Sequence, residues 1–316
     1  MSENRFYAIK IQPIAAALGA VVTGADLRHL DEQAFRLIHR AWLENLLLVF
    51  RGQSLSPDDI VNLSTKFGVP ITSHNLNKGR IKDAGYDQEN LPPEITVISN
   101  VKDAGKPLGV LGDAEVVWHS DHSYTEEPAA ARMLYAVEVP PVALGGNTFF
   151  MNAYATFDEL PCDLKRTVSG RTIKHDNAIS VTMEPREGSN PAESILESSG
   201  PSHPIISTHP ETGSNSLFLG RRSRAYVNGM SLPDSEDLLN ELWLHSTRSS
   251  FGYEHQWCVG DLVLWDNRCT MHRRSAFDSN ARRILYASQL TGHRPYEAND
   301  ALNRAYHPRF HLHSQE

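Results

Sequence analysis

The sequence predicts an α+β fold with a mostly β core, a double-stranded β-helix or jelly roll with flanking helices, and three observations carry that prediction. Helical patterns lie ahead of Gly68, short strand-like runs bounded by Gly, Pro or Asn dominate from Met133 onward, and strands and helices do not alternate as in a doubly wound sheet. No GxGxxG, no GxxxxGK[ST] and no solenoid repeat occurs, so phosphate-cradling and repeat architectures have no support. We read residues 1–316 as one domain.

The elements follow in order. Asp31 to Asn45 places Ala34, Leu37, Ile38, Ala41 and Trp42 at helical spacing, and the apolar run Leu46 to Phe50 reads as a buried strand. Ser56-Pro57-Asp58-Asp59 starts a second helix with a capping serine, a first-turn proline and acids, and Gly68 closes it after Ile60, Leu63 and Phe67. Asn75 to Pro93 is polar and irregular, and Val101 to Gly112 is glycine-rich; both read as loops near a site. Strands are predicted over Met133–Val139, Asn147–Ala153, Ile205–Thr208, Ser216–Leu219, Asp261–Trp265 and Arg283–Gln289. One helix interrupts them, with Leu238, Leu239, Leu242 and Trp243 on one face. Residues 184–204, rich in Ser, Pro, Glu and Gly, read as a surface insertion or lid.

Composition narrows the class. The chain is 40% hydrophobic and 22% charged with a net charge of −8, which is ordinary for a globular protein and argues against nucleic acid or an anionic membrane as the main partner. Its N-terminus lacks the basic and apolar pattern of an export signal, and no run is long enough to span a bilayer. Cys162, Cys258 and Cys269 form no CxxC pair, which suggests neither disulfides nor a structural zinc and fits a reducing cytoplasm.

With 15 histidines, a single histidine means little without context. Trp118-His119-Ser120-Asp121 supplies some, because residues two apart on a strand share a face and can bind one ion. A distal histidine would complete a facial triad that leaves one side of a ferrous ion open. His272 is the candidate, within Gly260-Asp261-Leu262-Val263-Leu264-Trp265-Asp266-Asn267-Arg268-Cys269-Thr270-Met271-His272-Arg273, and Arg283 follows by eleven residues within Ala281-Arg282-Arg283-Ile284-Leu285-Tyr286. Adjacent to Asp121, His122 should point away from an ion. Arg282 should face solvent opposite Arg283.

This order of parts, with Gly19-Ala20-Val21-Val22-Thr23-Gly24, Gly145-Gly146-Asn147-Thr148 and His209-Pro210-Glu211-Thr212-Gly213, resembles the taurine and 2,4-dichlorophenoxyacetate dioxygenase family, TauD/TfdA, over nearly the whole chain. The resemblance implies a jelly roll, with iron(II) held by His119, Asp121 and His272. It implies 2-oxoglutarate and O2 as cosubstrates, with Arg283 and Thr148 on the 2-oxoglutarate. Arginine suits a carboxylate through its paired donors and permanent charge. The implied reaction oxidises, by default hydroxylates, an unactivated C–H bond of a small molecule and releases succinate and CO2. Asp266 and Asn267 are expected to shape the turn before His272 and to orient ligands. Relatives commonly form dimers or tetramers.

The substrate is less legible. In the taurine enzymes an arginine four residues past the cosubstrate arginine binds the sulfonate, and Ala287 stands there, which speaks against taurine. Glu115 falls at a substrate-contacting position and would receive a cationic group. His74, Tyr124, Arg274 and Arg294 are further pocket candidates. Two rivals from other classes stand beside this reading: a non-catalytic jelly-roll protein binding a small acid, and a zinc hydrolase using the same three ligands. Neither would consume oxygen.

Overall fold

The computed structural model describes residues 9–72, 91–186 and 188–298. Strands β1 (Lys10–Pro13) and β2 (Ala20–Thr23) pair antiparallel. Helix α1 (Glu32–Asn45) begins where the Asp31 carboxylate accepts the Ala34 amide proton at 2.7 Å, a cap worth about 1 kcal/mol. It ends at Leu46, whose left-handed φ of 65° turns the chain directly into β3 (Leu47–Phe50). Helix α2 (Pro57–Phe67) starts with Pro57 behind a closed capping box, the Ser56 and Asp59 side chains each accepting the other's amide proton.

The strands that build the site are β4 (Thr96–Ser99), β5 (Val110–Leu111), β6 (Val116–His119), β7 (Ala131–Glu138), β8 (Thr148–Asn152), β9 (Gly252–His255), β10 (Leu262–Asp266), β11 (Thr270–Arg274) and β12 (Ile284–Leu290). One sheet runs β1-β2-β3-β10-β7-β12-β4-β5 and a second runs β9-β8-β11-β6. Only the β2/β3 and β4/β5 pairs are parallel among these neighbours. The chain passes repeatedly between the two sheets, as a jelly roll requires.

Packing follows the two-residue period of the strands. Leu47, Val49, Leu134, Val263, Trp265, Leu285 and Ala287 point inward and meet Phe150 of the smaller sheet. Their neighbours Leu48, Phe50, Met133, Leu262, Leu264 and Tyr286 point outward against Ile38, Trp42, Ile60 and Leu63 of α1 and α2. Both faces of these strands are therefore buried, which is why β3 and β10 read as unbroken apolar runs rather than alternating ones. Truncating one such leucine to alanine costs about 2–5 kcal/mol. Behind the smaller sheet, Met151 and Met271 pack on α3 (Ala153–Asp158), α4 (Cys162–Val168) and α5 (Leu232–Ser246), a third layer.

Two loop expectations change. Val101–Gly112 folds into a small hairpin, Lys102–Asp103 with Lys106–Pro107, and the edge strand β5. Of the 184–204 segment, Ser202–Pro204 pairs with Thr172–Lys174, so the irregular part ends before it. Residues 75–90 of the expected polar loop lie outside the described residues. Among the described residues no helix is long and apolar enough to cross a membrane.

Candidate functional site

His119, the last residue of β6, is the cross-strand partner of His272 on β11, and this register brings the two rings to 4.1 Å between centroids. The Asp121 carboxylate closes the group, its oxygens 3.5 Å from His119 Nε2 and 3.8 Å from His272 Nε2. All three ligand atoms lie within 4.8 Å of one another and all three residues are buried. Strand alternation does not place the aspartate, because β6 stops at His119 and Asp121 sits in the turn beyond. Asn267 places it instead. The Asn267 amide accepts the Asp121 N–H at 2.8 Å and donates to the carbonyls of Asp121 at 3.0 Å and Ala129 at 2.7 Å.

Protonation suits a cation. His119 Nδ1–H donates to the Val117 carbonyl at 2.8 Å, which leaves the Nε2 lone pair facing the aspartate. Burial and the neighbouring His119 push the His272 imidazole well below its usual pKa, so it is neutral. Burial would raise the Asp121 carboxyl, but the Arg132 guanidinium outweighs it and holds the carboxyl well below the usual range. Arg132 Nη1 donates to both Asp121 oxygens, at 2.9 and 3.1 Å.

An inner pocket adjoins the histidines, lined by Ile98, Leu111, Val116, Leu134, Thr148, Arg274 and Arg283. Arg283 extends β12 on its inward face and is 1% exposed, with no acid partner among the described residues and its Nε unbonded. Burial, then Arg274 and Arg132, push its guanidinium well below the ordinary value, as expected of a buried cation lacking a counter-charge. Thr148 Oγ1 accepts the Trp257 indole proton at 3.0 Å, which leaves its own hydroxyl proton free to donate. Arg274 lies directly across from Thr148, so it belongs to this inner pocket and not to the outer cleft. Its Nη2 donates to the carbonyls of Leu111 and Ala114, while Nε and Nη1 have no partner.

The outer cleft, about 310 Å³, opens over His119 and Asp121. Tyr124 lines it under the Arg186 guanidinium, 3.6 Å above the ring. His122 also lines the cleft, in a left-handed turn with φ 57°, and is no part of the ligand group. Glu115 does not reach the cleft: its half-exposed side chain pairs with Arg273 at 3.5 Å, on the strand face opposite His272. Arg294 pairs with Glu126 at 3.5 Å and both are exposed. His74 lies outside the described residues. Arg282 faces outward, donating to Glu138 at 2.9 Å, as strand parity requires. Asp266 touches no ligand; it accepts from Arg268 and from His209 Nε2, the latter at 3.0 Å. That buried pairing makes Arg268 and His209 structural.

Arg132 is the residue that sequence reasoning missed. It is a lone charge within Ala129-Ala130-Ala131-Arg132-Met133-Leu134-Tyr135, on a strand buried on both faces, and a charge so placed needs a partner. Across the sheet Arg132 pairs with Gln289 and Leu134 pairs with Ala287, so the inward guanidinium stands one register step from the alanine.

Comparison with known proteins places these features in context. The family model described as taurine catabolism dioxygenase TauD, TfdA family matches residues 10–289. An (S)-phenoxypropionate/alpha-ketoglutarate-dioxygenase from Delftia acidovorans is 31% identical, over 93% of this chain and 98% of its own. An alpha-ketoglutarate-dependent 2,4-dichlorophenoxyacetate dioxygenase from Cupriavidus pinatubonensis is 35% identical, over 86% and 94%. The crystal structure of AAD-2 in complex with Mn(II) and N-oxalylglycine superposes with a TM-score of 0.71 at 28% identity, covering 91% of this chain and 98% of that one.

Proposed function

The chain belongs to the TauD, TfdA family, and from that premise we propose that His119, Asp121 and His272 hold a ferrous ion, with Thr148 and Arg283 holding 2-oxoglutarate beside it. The protein is an alpha-ketoglutarate-dependent dioxygenase acting on an organic substrate. The zinc hydrolase and the non-catalytic binder find no support, since the two relatives described above are dioxygenases.

The observation that carries the site assignment is the orphaned Arg283 guanidinium. It lies buried in a pocket that also reaches His119 and His272. A divalent ion suits the donor set, two histidine nitrogens and one carboxylate. An anion suits the orphaned cation. When bound, the metal supplies the oxidising chemistry, in which 2-oxoglutarate and O2 give succinate and CO2 and one oxygen atom goes to a C–H bond. Asn267 holds the carboxylate in place through its backbone, and the Val117 carbonyl fixes the His119 ring. Arg283 and Thr148 would grip the far carboxylate, while Ile98, Leu111, Val116 and Leu134 keep water from the inner pocket.

The test is anaerobic addition of ferrous iron and 2-oxoglutarate, read by the weak visible band of the chelate, followed by O2 and measurement of succinate with a substrate panel led by phenoxyalkanoates. We expect a band that His119→Ala abolishes and Arg283→Ala weakens. Its absence, together with no oxygen-dependent succinate, would overturn the assignment. With Glu115 turned away from the cleft, nothing in the site favours a cationic substrate.

A further inference from the structure

We propose that Arg132 is the anchor for an acidic group on the substrate; this rests on the metal and 2-oxoglutarate assignments above and adds to them the residue that selects the substrate. Arg132 borders both cavities, so its guanidinium stands at the seam between the inner pocket and the outer cleft, where a substrate must sit to meet the oxidant. The residue is 7% exposed, and one end of its fork is committed to Asp121 through Nη1. Nε has no partner and no hydrogen bond engages Nη2 among the described residues. These two N–H groups form the side-on edge of a guanidinium, the edge that takes a carboxylate through two parallel hydrogen bonds.

Charge points the same way. The cleft is lined by Arg132, Arg186 and Arg221 against two acids, Asp121 and Glu94. In the proposed assignment Asp121 and one carboxylate of 2-oxoglutarate balance a divalent ion and Arg283 balances the far carboxylate, which leaves the three arginines facing Glu94 alone. Arg221 is engaged with the carbonyls of Ile179 and Asp176, and Arg186 with the face of Tyr124, so neither cation is neutralised by a hydrogen-bonded acid. The loaded site therefore carries excess positive charge on its substrate side. A neutral or cationic substrate would leave it uncompensated, and a carboxylate or sulfonate would not. Arg132 is the cation nearest the ligand group, so an acid bound there sets the carbon next to it before the oxidant.

The experiment uses the anaerobic metal and 2-oxoglutarate complex and reads the shift of its visible band on titration with matched pairs: 2,4-dichlorophenoxyacetate against its primary amide, and an alkyl sulfonate against its sulfonamide. The wild type is expected to prefer an acid over its neutral partner by roughly 10–100-fold, the strength of hydrogen bonds to a charged group. Arg132→Gln should abolish that preference. Arg186→Gln should keep it. Arg132→Lys, which retains a cation beside Asp121 but lacks the two-donor edge, should keep the band and lose most of the preference, so a loss of metal in Arg132→Gln cannot pass for support. A wild type that does not distinguish any acid from its amide overturns the proposal, as does a preference that survives in Arg132→Gln and Arg132→Lys or disappears in Arg186→Gln. Absence of the band in the wild type overturns the metal assignment first and this proposal with it.

Discussion

Replacing Arg283 by methionine should stabilise the ligand-free protein while disabling it. The guanidinium is 1% exposed, its Nε is unbonded, and no acid among the described residues faces it. An apolar side chain of similar length there removes an uncompensated buried charge, a gain of about 1–4 kcal/mol by analogy with buried ionic groups replaced by hydrophobic ones. Unfolding entropy of about 2.1 cal/mol/K per residue gives this chain roughly 0.7 kcal/mol/K in total, so the melting temperature should rise by roughly 1.5–6 °C. With cosubstrate the sign inverts. Losing two hydrogen bonds to a charged carboxylate, about 1.5–3 kcal/mol each, weakens 2-oxoglutarate binding by roughly 10²- to 10⁴-fold. At about 100 times its dissociation constant, 2-oxoglutarate should stabilise the wild type by about 2.7 kcal/mol, roughly 4 °C on the same scale, and leave the variant unmoved. Anaerobic thermal scans with and without 2-oxoglutarate give both quantities. A variant that melts lower than wild type when ligand-free, yet still gains with 2-oxoglutarate, would refute the reasoning.

Asn267→Ala releases the Asp121 turn and should weaken metal binding roughly 10- to 100-fold; a chelator competition titration checks it, and an unchanged affinity would mean that the turn holds itself. His175 is buried with both ring nitrogens unpartnered, and burial, then His203 and Arg221, push it well below its usual pKa. The folded protein thus keeps it neutral while the unfolded chain takes up a proton below pH ~6.5, so stability falls with pH from there, by up to about 1.4 kcal/mol per unit, until the depressed folded value is reached. His175→Leu should flatten that loss, as urea midpoints at pH 7.5 and 5.5 would show; equal slopes in variant and wild type would count against it. A Cβ on Gly220, whose φ is +62°, would lie 2.3 Å from His175 Cε1. Gly220→Ala should therefore destabilise by roughly 2–5 kcal/mol, and His175→Ala should recover part of it in a double-mutant cycle; strict additivity would disprove the clash.

Sequence made most of the fold readable where a local rule operates. Ser56-Pro57-Asp58-Asp59 declares its helix because the capping box is made within four residues, and Leu46 to Phe50 declares a buried strand because both its faces are covered. Strands such as β4 and β9 were not legible, since their pairing is decided by partners far along the chain. His119 and His272 could be paired only through the family resemblance, and the fold sets them across from each other in one register. Asp121 was chosen through strand alternation, whereas a turn and a distant asparagine position it. Arg274 was expected beside the substrate and lies with Arg283, because it stands across from Thr148 on the face it shares with His272, and alternation alone does not say which end of that face is the inner pocket.

The hydrogen bonds between Asp121 and Asn267 span 146 residues of chain, and they set an order on events during synthesis. At about 5–20 residues per second, His119 and Asp121 emerge roughly 7–30 seconds before the segment that orients the aspartate and carries His272, the third ligand of the proposed metal group. Until then the nascent chain offers an ion only a loose pair of donors, which any more competitive metal could occupy and as readily leave. The complete group exists only once β11 has paired with β6. On the proposed assignment, metal choice would thereby be deferred from the growing chain to the finished protein.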